Sequence, residues 1–121
     1  MRIESLDLVR VAMPLVRPFR TSFGVELERD ALLVHVVTDE AEGWGECVSG
    51  HDPLYSPEYV DGSIDVIARY LVPWLVRLQE AEGGLEEQSC RRAWAAVRGH
   101  PMARAAVETA VLELVAQLRD D

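Results

Sequence analysis

The sequence predicts an α+β fold, a three-stranded antiparallel β-meander followed by three to four helices. Two observations lead there. Apolar residues recur at about period two as far as residue 48, and at about period 3.6 from residue 57 onward. A polar turn at Asp39-Glu40-Ala41-Glu42 joins the second and third apolar runs so closely that they can only fold back on one another. The 121 residues, 49% of them hydrophobic, suffice for one domain spanning 1–121 with its own core.

The first strand covers about residues 2–16, where Leu6, Leu8, Val11, Met13 and Leu15 interleave with Asp7, Arg10 and Ala12. Pro14 and Pro18 are expected to end it, leaving a loop over about 17–29. Residues 31–38, Ala31-Leu32-Leu33-Val34-His35-Val36-Val37-Thr38, are a β-branched run too short for an independent helix, and form the central strand. The third strand, 43–48, begins Gly43-Trp44-Gly45. Trp44 is expected to pack across strands, and its two glycines to let a helix approach closely.

Ser56, Pro57 and Glu58 have the residue types of a helix start: a side-chain cap, a proline in the first turn and an acid at the positive dipole end. The first helix is therefore expected over 57–71, with Val60, Ile64, Ile67 and Leu71 as its buried stripe. Pro73 is expected to interrupt it, giving a second helix at 74–80 that stops by Gly83-Gly84. A third is expected at 85–98 and a fourth at 101–119. The fourth is apolar around most of its circumference, from Met102 to Leu118, and so needs cover on more than one side. With Asp120-Asp121 at the negative end of its dipole, that surplus suggests a domain cut from something larger. Association through this helix, with another domain or in a homo-oligomer, is the expectation.

Composition narrows the function. Twelve basic against 21 acidic residues give a net charge of −9, which repels phosphate backbones and anionic lipid, so neither nucleic acid nor membrane is expected as a partner. No apolar run reaches the length of a spanning helix and the N-terminus has no secretory pattern, so a cytoplasmic location is expected. Every basic residue besides the three histidines is arginine, which stays charged and cannot exchange protons as lysine does. Cys47 and Cys90 lack a CxxC or zinc spacing and read as buried reduced thiols. No Ser, Cys or His set is spaced for nucleophilic catalysis; His51-Asp52 offers two metal ligands without a third, so no catalytic and no metal residue is assigned. His35 suits a sheet face and His100 a helix start, while Arg104 and Glu108 have the spacing of a helix-surface pair.

What remains is a loop that can hold a ligand. Met13-Pro14-Leu15-Val16-Arg17-Pro18-Phe19-Arg20-Thr21-Ser22-Phe23-Gly24 sets two aromatic rings on a connection bracketed by proline and glycine. Phe19 and Phe23 suit either an apolar ligand or a satellite cluster on the sheet. Arg20 suits either a carboxylate ligand or a pair with Glu26 or Glu28.

These residues, with Gly43-Trp44-Gly45-Glu46, Pro53-Leu54-Tyr55-Ser56, Glu58-Tyr59 and Met102-Ala103-Arg104-Ala105-Ala106-Val107-Glu108, resemble the amino-terminal capping domain of the enolase superfamily. The similarity covers the whole chain and points to the o-succinylbenzoate synthase and N-acylamino acid racemase branch. It implies a cap seated on a TIM barrel that is absent from this chain. The barrel would supply catalytic lysines and the ligands of Mg2+, a cofactor of the parent enzyme and not of this fragment. It further implies that two cap loops close over a small carboxylate substrate, the first contributing Phe19, Arg20, Thr21, Ser22 and Phe23, the second Gly50 and Tyr55. Alone, such a chain would be inactive. A non-catalytic α+β interaction module, self-associating or binding a partner protein, is the alternative, and the two separate on whether Phe19, Phe23 and Tyr55 share one concavity.

Overall fold

A computed structural model describes the backbone of residues 1–21 and 24–119, and the side chains of residues 1–12 and 30–119. Three strands form one antiparallel sheet in the order β1-β2-β3, with β1 at Ser5–Thr21, β2 at Gly24–Val37 and β3 at Glu42–Cys47. Helix α1 (Val60–Val66) runs through a π-helical turn (Ile67–Leu71) into α2 (Val72–Glu82); α3 (Ser89–Ala93) and α4 (Pro101–Arg119) follow. The fold class is the one expected.

The stretch expected to be a loop over 17–29 is instead the far end of a long hairpin. Phe19 pairs with Glu26, Arg20 with Val25 and Thr21 with Gly24, after a register shift between Pro14 and Phe19. β1 is an edge strand, where a proline costs no ladder bond on its open side, and the register shift absorbs the irregularity around the two prolines.

The inner face of the sheet carries Leu32, Val34 and Val36, each fully buried, and opposite them in β3 stand Cys47, Gly45 and Gly43. Helix α4 lies over this face. The side chain that glycine lacks is the space the helix occupies: a Cβ on Gly43 would meet the Ala110 carbonyl oxygen at 2.5 Å, and one on Gly45 would meet that of Ala106 at 2.0 Å. Trp44, between them, points to the outer face and stacks on His35 with ring centroids 4.0 Å apart, while His35 Nε2 pairs with Glu42 at 2.8 Å. Along the edge of β3, the amide of Trp44 donates to Glu113 and the Gln117 amide donates to the Glu42 carbonyl, so side chains of α4 occupy hydrogen-bonding positions that another strand could take.

Much of the cover that the fourth helix needs comes from the chain itself. Ala103, Ala106, Val107, Ala110, Val111 and Leu114 of α4 are buried between the sheet on one side and α1 with the π-helical turn on the other. Ala105, Thr109, Leu112 and Ala116 form a stripe that faces outward on this helix.

Pro73 does not break the chain's helical course. It is the second residue of α2, and the wider turn before it, closed by the Val72 amide on the Ile67 carbonyl, accommodates the ring and the missing N–H. Trp94, fully buried, donates its indole N–H to the Leu71 carbonyl at 2.8 Å in that same turn. Helix α2 ends on Gly83, in the left-handed conformation that glycine adopts without strain (φ 77°). The expected helix over 85–98 shrinks to Ser89–Ala93 because Leu85 is engaged elsewhere: its amide donates to the Met1 carbonyl and its carbonyl accepts from the N-terminal ammonium.

Candidate functional site

The connection from β3 to α1 is the second of the two expected loops, and a ladder of polar contacts fixes its root. Ser49 is buried, with its hydroxyl 3.2 Å from Cys47 Sγ and 3.0 Å from Ser63 Oγ of α1. Gly50 forms a parallel bridge with Tyr59, and its carbonyl accepts from the Val60 amide at 2.8 Å. Helix α1 therefore starts at Val60, capped by no side chain, and not at residue 57. The Ser56 hydroxyl, expected as its cap, accepts from the Glu58 amide in a local turn.

One residue further out, His51 Nδ1 lies 2.7 Å from Asp30 Oδ2 on β2. Asp30 is also gripped by Arg10 of β1, through Nε to Oδ1 at 3.0 Å and Nη2 to Oδ2 at 2.6 Å, a two-pronged contact matched to the guanidinium fork. The remaining Arg10 Nη1 reaches Asp61 of α1 at 2.6 Å. Four side chains thus join β1, β2, the loop and α1. The hydrogen bond from Arg10 holds the Asp30 carboxyl down at about 2, with His51 adding to it against the opposing effect of burial. The His51 imidazole is pushed upward, first by its bond to Asp30 and then by the charge of Asp52.

Beyond this anchorage the loop is bare. Leu54 is 58% exposed and Tyr55 89%, and a Cβ on Gly50 would meet nothing closer than the Asp52 carbonyl oxygen at 3.5 Å. Gly50 is therefore not demanded by its surroundings. Of the other expected site residues, Phe19, Arg20 and Thr21 are placed by their backbone in the hairpin, their side chains lying outside the described residues, as do Ser22 and Phe23 entirely.

Glu58 has a role the sequence reading missed. Its carboxylate is buried and accepts from the amides of Met102 and Ala103 at 2.9–3.0 Å, which caps α4 from across the chain. The available signal was a helix opening His100-Pro101 without a capping side chain of its own.

No cluster of three His, Cys, Asp or Glu able to hold a metal ion occurs among the described residues, so a divalent cation has no fitting site there. Both thiols are buried and free; burial pushes Cys90 up to about 12, with Glu108 adding to the effect. No described helix is long and apolar enough to cross a membrane.

An antiparallel meander backed by helices, with the hairpin and the β3–α1 loop bound together by one ionic network, defines an α+β domain that presents loops. The sequence profile of the mandelate racemase / muconate lactonizing enzyme N-terminal domain matches residues 4–120, and the chain belongs to this family, within the enolase superfamily. It is 44% identical over 98% of its length to an N-succinylamino acid racemase from Amycolatopsis, and 35% identical over 97% to an o-succinylbenzoate synthase from Enterococcus faecalis. In both cases it spans 31% of the relative. A solved structure of a probable mandelate racemase from Alicyclobacillus acidocaldarius superposes with a TM-score of 0.89 at 33% identity, covering 98% of this chain and 32% of that one. The chain thus corresponds to about a third of each relative.

Proposed function

We propose that this chain is the substrate-capping, specificity-determining domain of an enzyme of the o-succinylbenzoate synthase / N-acylamino acid racemase type. The observation that carries the reading is the match over nearly the whole chain to a third of such proteins, joined to a fold with no proton-exchanging lysine and no described metal cluster. The reaction of the parent would be proton abstraction α to a carboxylate, through an enediolate, with Mg2+ and the proton-moving amines held by the barrel outside this sequence.

The work left to the cap is exclusion of water and choice of substrate. Phe19, Arg20, Thr21, Ser22 and Phe23 of the hairpin end, with Gly50 and Tyr55 of the second loop, would face the substrate. Rings supply apolar surface there and Arg20 a carboxylate partner. Enclosure strengthens each electrostatic contact in the site by removing solvent.

Two assays test this. The purified 121-residue chain should neither racemise N-succinylamino acids nor dehydrate the synthase substrate; turnover by the chain alone would overturn the assignment. A chimera carrying this chain in place of the corresponding third of the Amycolatopsis racemase should be active, with altered relative kcat/KM among substrates differing in acyl group and side chain. Identical relative values would rule out the specificity role.

A further inference from the structure

We propose that His51 is a positioning residue: through Asp30 it locks the 49–55 loop to the middle of the β1–β2 hairpin, in a manner set by its own protonation. The proposal deepens the capping reading, in which this loop is one of two that meet substrate.

Three geometric facts carry it. Asp30 Oδ2 receives both Arg10 Nη2 at 2.6 Å and His51 Nδ1 at 2.7 Å, so one carboxylate oxygen is shared between the hairpin and the loop. Arg10 is itself fixed from the other side by Asp61, so the acceptor to which His51 binds cannot swing away with the loop. His51 is also the last polar anchor on the β3 side of the loop: inward of it come Gly50 and Ser49, outward of it stand Leu54 and Tyr55, both exposed, and the chain is next held at Ser56, whose hydroxyl lies 3.9 Å from Met102 Sδ. Release of His51 would leave Leu54 and Tyr55 held only from Gly50 on one side and Ser56 on the other.

Among the described residues, the charged groups acting on the imidazole are Asp30 on β2, Asp52 beside it in the loop and Arg10 on β1, with Asp61 of α1 paired to Arg10 behind them. The two carboxylates outweigh the guanidinium and favour imidazolium. A neutral imidazole with its proton on Nδ1 keeps the hydrogen bond and loses the charge assistance, so the tether is weakened on deprotonation and not abolished. Because the folded-state value of His51 is raised above its ordinary 6.5, the added hold is complete below that value and is lost as pH rises through the folded one.

The test uses the 121-residue chain and no turnover, so it stands or falls separately from the assignment of function. NMR titration of the imidazoles should find His51 above 6.5, falling in Asp30→Asn. Amide exchange at Leu54 and Val60, corrected for intrinsic rates, should slow about two- to fivefold on the acid side of the His51 transition, the range of an exposed ion pair. His51→Gln, which keeps a donor but not the charge, should show the alkaline-side protection at every pH, with no step. Should Asp30→Asn fail to fold, the His51→Gln comparison suffices. His51 titrating at or below 6.5, or His51→Gln exchanging like the wild type with the step intact, would overturn the proposal.

Discussion

Gly45 faces Ala106 so closely that a Cβ on the glycine would stand 2.0 Å from the alanine carbonyl oxygen. Because the obstacle is backbone, no rotamer can yield, and Gly45→Ala must push α4 off the sheet. Overpacking of this kind costs about 1–3 kcal/mol, and a clash with main chain belongs at the top of that range. Gly62→Ala is the contrast: its new methyl would meet the movable ring of Tyr59 at 3.0 Å, and it gains helix propensity in α1. Urea denaturation should give a large loss for the first and a change within about 0.5 kcal/mol for the second. Equal losses would mean that α4 is not seated by Gly45.

Glu58 is expected to behave as part of α4, though it lies more than forty residues before that helix. Glu58→Ala removes the acceptor for the Met102 and Ala103 amides and should cost about 1–2 kcal/mol, as the loss of a strong helix cap does. Glu58→Gln, which keeps one carbonyl acceptor, should lose less. The check is the urea midpoint at constant m-value, together with faster amide exchange in the first turn of α4; exchange accelerated only in α1 would contradict the assignment.

The sequence reading succeeded where one residue type had one physical use. Glycines flanking Trp44 anticipated a helix against the sheet, and α4 lies there. It failed where a local rule met a tertiary alternative. Pro73 reads as a breaker, yet a π-helical turn stabilised by the Trp94 indole admits it, and nothing in the local pattern of residues 67–73 announces a donor from position 94. Pro14 and Pro18 read as the end of a strand because edge position is not visible in the strand itself. At the candidate site, Gly50 and Tyr55 were legible as loop residues through family resemblance. Arg10, Asp30 and Asp61 were not, since no spacing links three residues that only the sheet and α1 bring together.

Acid should weaken the fold partly through Asp30. Its carboxyl is held at about 2 in the folded chain against an ordinary 3.8, so its stabilising contribution is complete above 3.8 and disappears as pH falls through the folded value. Asp30→Asn should be less stable than the wild type at neutral pH, having lost the paired contact with Arg10, and should have a shallower decline in stability between those two values. Urea midpoints taken across that interval are the measurement. Parallel declines in the two proteins would show that Asp30 is not held down by Arg10.

Tyr55 separates stability from function. At 89% exposure the ring buries little, so Tyr55→Ala should leave the urea midpoint of the chain within about 0.5 kcal/mol of wild type. In the chimera with the Amycolatopsis barrel, the capping reading requires the same substitution to raise KM and to change the ranking of acyl substrates, because the ring would be part of the enclosure around the bound molecule. A destabilised chain would mean that the ring packs in the fold. A stable variant whose chimera ranks substrates as before would take Tyr55 out of the site, leaving the hairpin end around Phe19 to carry substrate choice.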